Sequence, residues 1–168
     1  LPDFRSAERS FQLLSQVSGR AGRHKTKGQV FIQTFNPEHP SILSAKTHDF
    51  EGFAQQELQN RQELGYPPFG RLMLVRLQGL DQRKVEAATD RIAQIMTSWV
   101  ARSKSSEGVE ILGPTEAAIF RLRNNYRYQI LVKAPKSISL SQMGWALLDQ
   151  EAALPTGVRM LIDIDPIN

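Results

Sequence analysis

Hydrophobic and polar positions change period several times along the chain, and each change marks an element. Between Ser6 and Ser18, Phe11, Leu14, Val17 and Ser18 recur at helical spacing, with Phe4 just ahead of the start. The spacing predicts a helix that runs into Gly19 and ends near Gly22, followed by the basic turn His24-Lys25-Thr26-Lys27-Gly28. The β-branched and aromatic run Gln29-Val30-Phe31-Ile32-Gln33-Thr34-Phe35 predicts a strand. Asn36-Pro37-Glu38-His39-Pro40 breaks it. A second helix is expected from about Asp49, a suitable N-cap, to Leu64, with Phe50, Phe53, Ala54 and Leu58 as its apolar stripe and Gly65 at its end.

Tyr66-Pro67-Pro68-Phe69 forces an extended connection, and the domain boundary is placed there, giving segments 1–64 and 65–168. From Arg71 the pattern becomes regular. Leu72, Leu74 and Leu77, with Met73 and Val75 on the other face, predict a strand to Gln78. Asp81 to Ala101 reads as a helix with Val85, Ala88, Ile92, Ile95, Met96 and Trp99 on one stripe. Val109 to Leu112 reads as a short strand end before a Gly113-Pro114 turn. Ala117–Leu122 and Tyr126–Lys133 then read as two strands joined through Arg123-Asn124-Asn125. Ser139–Ala153 is expected to be helical and Val158–Ile164 a last strand. The order β-α-β-β-α-β is the split βαβ, or ferredoxin-like, arrangement. The expected class is therefore α+β.

Composition narrows the classes without choosing among them. The chain has 168 residues, 40% of them hydrophobic, no run of 18 apolar residues and no secretory leader pattern, so no membrane span is expected. Zero cysteines exclude a disulfide scaffold and thiolate metal sites, and fit a reducing, cytoplasmic compartment. The placement of the +4 net charge is more informative. Residues 1–28 hold Arg5, Arg9, Arg20, Arg23, Lys25 and Lys27 against Asp3 and Glu8, which is the whole surplus. No acidic residue lies between Glu116 and Asp149, a stretch that holds Arg121, Arg123, Arg127, Lys133 and Lys136. Both zones suit anionic partners.

Gln16-Val17-Ser18-Gly19-Arg20-Ala21-Gly22-Arg23 has the form Q-x-x-G-R-x-G-R. It closely resembles motif VI of superfamily-two helicases and translocases. A guanidinium held against the γ-phosphate stabilises the negative charge that hydrolysis concentrates there. The plain alternative is a basic helix end favoured by the helix dipole. Four further stretches extend the likeness: 1–14 ahead of the motif, Ile32–Pro40, Arg61-Gln62-Glu63-Leu64-Gly65-Tyr66-Pro67-Pro68-Phe69 and Asp163-Ile164-Asp165-Pro166. Together they resemble the bacterial primosomal replication-restart helicases, a branch of superfamily two, over essentially the whole chain. Ser18 stands where that family usually has Ala.

The resemblance implies a C-terminal fragment: the end of a RecA-like helicase lobe, then a ferredoxin-like domain that binds DNA and partners. It implies a parent that hydrolyses ATP with Mg²⁺, unwinds DNA 3′ to 5′ at stalled or branched forks and starts primosome assembly on the nucleoid. Arg23 would be the arginine finger, with Arg20 bridging nucleotide or lobe interface, and Gln16 and Gly19 shaping the motif. No G-x-x-x-x-G-K-[ST] loop or D-E-x-H box occurs, so the fragment alone is expected to be inactive. Zinc is implied only for an upstream cysteine-rich insertion of the parent.

In the second basic zone, Arg121, Arg123, Tyr126 and Arg127 are candidates for branched or single-stranded DNA, with Tyr128 beside them. A solvated hairpin tip over a tyrosine-lined core is the competing reading. Lys133 and Lys136 are candidates for the acidic tail that the family's single-strand-binding protein carries; other primosome proteins are further expected partners. A non-catalytic fork- and protein-binding module, or an RNA-binding domain on the same element order, are rival classes. Asp163 and Asp165 share a strand face and are read as a solvated edge rather than a cation site. His24, His39 and His48 are expected in loops, Trp99 and Trp145 in the core, and Tyr66–Phe69 as domain packing or an extended partner motif.

Overall fold

The computed structural model describes residues 4–21, 29–103 and 106–166. In chain order the elements are α1 (Ser6–Ala21), α2 (Pro40–Thr47), α3 (Phe50–Glu63), β1 (Gly70–Gly79), α4 (Gln82–Arg102), β2 (Glu110–Leu122), β3 (Asn125–Pro135), α5 (Leu140–Leu148) and β4 (Val158–Ile164). The fold is α+β, and the chain divides into two compact units between Arg61 and Gln62, in the last turn of α3. No helix among the described residues is long and apolar enough to cross a membrane.

Helices are the regular elements of the first unit among its described residues. Phe11 of α1 stacks on Phe53 of α3, centroids 4.4 Å apart and rings nearly parallel, over the small Ala45 of α2. Arg61 ties α3 to α1: its guanidinium reaches Glu57 at 2.8 Å and Glu8 at 3.0 Å and lies over the Phe4 ring. The periodicity of 40–47 is too short to betray α2. Local chemistry makes it: Pro40 supplies the fixed first φ, and His39 Nδ1 caps the helix by accepting the Ser41 amide. His48 closes it in the left-handed region at φ 57°, so His39 and His48 are both helix caps.

Gln29–Phe35, expected as a strand, has no strand conformation. An extended segment becomes a strand only with a neighbour to take up its amides and carbonyls, and no strand lies in this unit among the described residues. Phe31 and Phe35 stand almost fully in solvent, and Val17, Phe50 and Leu58 of the predicted helix stripes are also exposed. Of those stripes, Phe11 and Phe53 are buried and Leu14 packs beside them.

The second unit is a four-stranded, wholly antiparallel sheet of order β2-β3-β1-β4. Its core lies on one face. Val85, Ala88, Ile92, Ala93 and Met96 of α4 and Leu140 and Leu147 of α5 pack on Met73, Val75, Leu77, Tyr128, Ile130, Val132, Ala134 and Met160. Leu77 therefore joins Met73 and Val75, not Leu72 and Leu74, because strand side chains alternate strictly. Asp81 caps α4, accepting the Lys84 amide at 3.2 Å. The stretches read as Val109–Leu112 and Ala117–Leu122 belong to one long β2 that starts at Glu110, and its register shifts twice against β3 rather than turning at Gly113-Pro114.

α5 is shorter than expected. After Asp149 N–H donates to Trp145 carbonyl, Gln150 N–H turns to Leu147, and Glu151–Ala153 continue as a single 3₁₀ turn. Trp145 is 71% exposed on its outer side and so is not a core residue, whereas Trp99 packs against the core as expected.

Candidate functional site

Of the motif at 16–23, Gln16, Gly19 and Arg20 lie on the exposed side of α1, and Arg23 lies outside the described residues. Gln16 and Arg20 are one helical turn apart, on the same stripe as Arg9 and Gln12. Arg20, in the last turn, makes no hydrogen bond or ion pair with any described residue, so its guanidinium is available to an anion. Nothing lies within 4 Å of where a Cβ on Gly19 would stand. These groups suit the phosphate end of a nucleotide. They do not supply a metal-ligand set: no cluster of three His, Asp or Glu occurs among the described residues.

The β2–β3 hairpin turns through Arg123 and Asn124, both with positive φ (49° and 64°), the geometry a two-residue hairpin of native twist requires. Arg121 faces Tyr126 across the ladder; its guanidinium lies 5.2 Å over the Tyr126 ring and donates to Asn124 Oδ1. Tyr126 in turn meets Phe120 edge-on. Arg121, Arg123 and Tyr126 thus sit together at the tip. Tyr128 does not join them. It is 6% exposed, in the core, with its hydroxyl accepting Gln82 Nε2 at 3.2 Å.

Arg127 points to the face of the sheet opposite α4 and α5. Register places it in a row with Gln78 of β1 and Arg159 of β4. The adjoining row is Thr115, Gln129, Arg76 and Leu161. Arg76 is therefore the diagonal neighbour of both Arg127 and Arg159. The Nε atoms of Arg76 and Arg127 are buried without a hydrogen-bond partner. Burial, and next the charge of Arg127, hold Arg76 below the ordinary guanidinium range, against a weaker opposing pull from Asp163. Sequence reasoning missed Arg76 and Arg159. The alternation of β1 puts Arg76 on the face of Leu74 and Gln78, but only the long-range pairing of β1 with β3 and β4 brings it to the other two.

Lys133 stands at the other end of the same face. Its ammonium pairs with Glu110 at 3.0 Å and sits over the Tyr66 ring at 5.4 Å. Lys136, in the β3–α5 connection, is exposed, so the two lysines have different surroundings. Asp163 and Asp165 also separate. Asp165 is bound to Arg71 at 2.7 Å and to the Leu72 amide at 3.0 Å, so it is a structural clasp and not a solvated edge.

The family profile for the Primosomal protein N C-terminal domain matches residues 62–167. Replication restart protein PriA of Synechocystis sp. is 45% identical over 99% of the chain, that of Treponema pallidum 40% over 99%, and that of Bacillus subtilis 39% over 98%. The chain spans 19%, 24% and 20% of the length of these three relatives. A match over most of the chain, joined to relatives of this identity along all of it, leaves one conclusion: the chain belongs to the PriA family of replication restart proteins and corresponds to the family's C-terminal region.

Proposed function

We propose that the chain is the C-terminal part of an ATP-dependent 3′–5′ DNA helicase that engages stalled or branched replication forks and starts primosome assembly. One observation carries the reading: the family's C-terminal domain at 62–167 is continuous with Q-x-x-G-R-x-G-R at 16–23. In this reading residues 1 to about 64 finish a RecA-like lobe and the remainder is a ferredoxin-like domain. The βαββαβ order and the β2-β3-β1-β4 sheet support the latter assignment.

Hydrolysis of ATP with Mg²⁺, bound largely by the rest of the longer protein, supplies the free energy for unwinding. Within this chain, Arg23 places a guanidinium on the γ-phosphate, where charge accumulates as the bond breaks. Arg20 orients the nucleotide or the lobe contact, and Gln16 and Gly19 shape the approach. Arg121, Arg123, Tyr126 and Arg127 meet branched or single-stranded DNA. Lys133 and Lys136 meet the acidic tail of the single-strand-binding protein, and other primosome proteins dock alongside. Zinc belongs to a cysteine-rich part of the longer protein, since this chain holds no cysteine. The setting is the nucleoid in the cytoplasm.

A second reading has the chain act purely as a fork- and protein-binding module, with Arg20 and Arg23 on DNA phosphates. The exposed, unpartnered Arg20 is compatible with it. Arg23→Ala in the full-length protein separates the two. The proposal expects DNA-stimulated ATP turnover to fall by about 10³-fold, the scale of a lost arginine finger, with fork affinity retained. Intact turnover with weakened fork binding supports the module instead.

A further inference from the structure

Arg76, Arg127 and Arg159 come from three neighbouring strands and surround Gln78 on the face of the sheet opposite α4 and α5. None makes an ion pair or a hydrogen bond with a described residue, and the Nε atoms of Arg76 and Arg127 are buried with their donors unused. A buried, unmatched donor is costly, and two unmatched guanidiniums on a diagonal repel each other as well. Asp163, two residues along β4 from Leu161, offers Arg76 a weaker opposing charge. Fold stability does not account for three unpaired guanidiniums side by side; an anion placed over Gln78 does, because it would take their terminal N–H groups and cancel the repulsion.

We propose that this cluster is a cradle for successive phosphates of a single DNA strand lying across β3, β1 and β4. Arg127 and Arg159 are separated by two strand spacings, about 10 Å, wider than a lone phosphate, which suits a chain of phosphates. The partner is a backbone rather than bases: around Gln78 the strand positions of this face, Leu74, Arg76, Gln129 and Leu161, carry no aromatic ring for stacking, and the Tyr66 ring lies at the far end beside Lys133. Guanidiniums take phosphate oxygens bidentately, and the half-buried Gln78 and Thr115 add neutral donors beside them. The surface lies on the far side of β3 from Tyr126 and is a site separate from the hairpin tip. The proposal rests on the reading that this chain meets DNA.

The test is fluorescence anisotropy of the 168-residue chain with labelled oligo(dT) and oligo(dA), across a salt series. The chain is compared with the double variant Arg76→Gln, Arg127→Gln and with the hairpin variant Arg121→Gln, Arg123→Gln. The proposal expects the first variant to lose about tenfold or more in affinity and its salt slope to flatten by about 1.4, two phosphate contacts on a single strand. It expects oligo(dT) and oligo(dA) to lose alike. NMR of the unsubstituted chain gives an independent reading, in which the Arg76 and Arg127 Nε–H signals move on adding oligonucleotide. Strong binding that the first variant leaves unchanged, with those signals still, overturns the cradle and leaves DNA binding standing. No binding by the unsubstituted chain overturns both. Binding of poly-glutamate in place of the oligonucleotides replaces the strand with an acidic protein partner and overturns the proposal.

Discussion

Asp165 and Leu72 exchange a reciprocal pair of hydrogen bonds: the Asp165 amide donates to the Leu72 carbonyl at 2.8 Å, and Asp165 Oδ1 accepts the Leu72 amide at 3.0 Å. The second carboxylate oxygen takes Arg71 Nη2 at 2.7 Å. A left-handed backbone at Asp165 (φ 51°) makes the exchange possible. One residue thus closes the end of the sheet where β4 has finished and β1 has begun. Asp165→Ala removes both side-chain bonds, and we expect the second unit to lose about 1–3 kcal/mol. Urea unfolding followed by tryptophan fluorescence measures this; an unchanged midpoint contradicts the clasp.

Gly144 offers a change in the opposite direction. It is buried in α5, and an added Cβ would meet Ile164, Ile162 and Met73 at ordinary contact distances of 3.6–3.8 Å. Glycine inside a helix is unfavourable by about 0.8–1 kcal/mol relative to alanine. Gly144→Ala should therefore raise stability by up to about 1 kcal/mol, seen as a higher unfolding midpoint. A lower midpoint would mean that α5 sits closer to β1 and β4 than these distances allow.

Gly79 permits no such exchange. A Cβ there would stand 2.6 Å from the Gly157 carbonyl oxygen, a backbone atom that cannot swing aside, and 3.1 Å from Val85 Cγ2. Gly79→Ala is expected to destabilise by about 1–3 kcal/mol. A paired measurement with Gly144→Ala, same added methyl and opposite sign, checks both placements at once.

The first unit should respond to acid through Glu8. The Arg5 hydrogen bond, then that of Arg61, holds the Glu8 carboxyl below its ordinary value of 4.5 against a raising effect of burial. A carboxyl lowered in the folded state adds stability that is present above its unfolded value and is lost as pH falls through the lowered one. Arg5→Ala should thus raise the Glu8 midpoint followed by carboxyl NMR and move the loss of stability to higher pH. An unmoved midpoint would show that Arg5 does not reach the carboxylate in solution.

The parts of the fold that sequence reasoning reaches are those whose signals are local and repeated. The stripe from Val85 to Trp99 predicts α4 almost to the residue. Helix α2 escapes because its eight residues carry no stripe and depend on Pro40 and His39 instead. Residues 29–35 have the composition of a strand, and composition alone does not supply the partner a strand needs. For the site, clustering of basic residues singles out Arg127, but pairing decides which face it joins. Strand alternation already separates it from Tyr126; the pairing unites it with Arg76 and Arg159, which are distant in sequence and unremarkable in their own neighbourhoods. Tyr128 and Trp145 show the same limit in reverse, since polarity predicts neither the burial of the first nor the exposure of the second.

Contact between this chain's basic surfaces and fork DNA is read out by fluorescence anisotropy of the chain on forked, single-stranded and blunt duplex DNA over a range of salt. Binding is expected to be tighter to the fork than to the blunt duplex, with an affinity that falls steeply as salt rises. Equal affinity for fork and duplex, or binding that does not respond to salt, would contradict it.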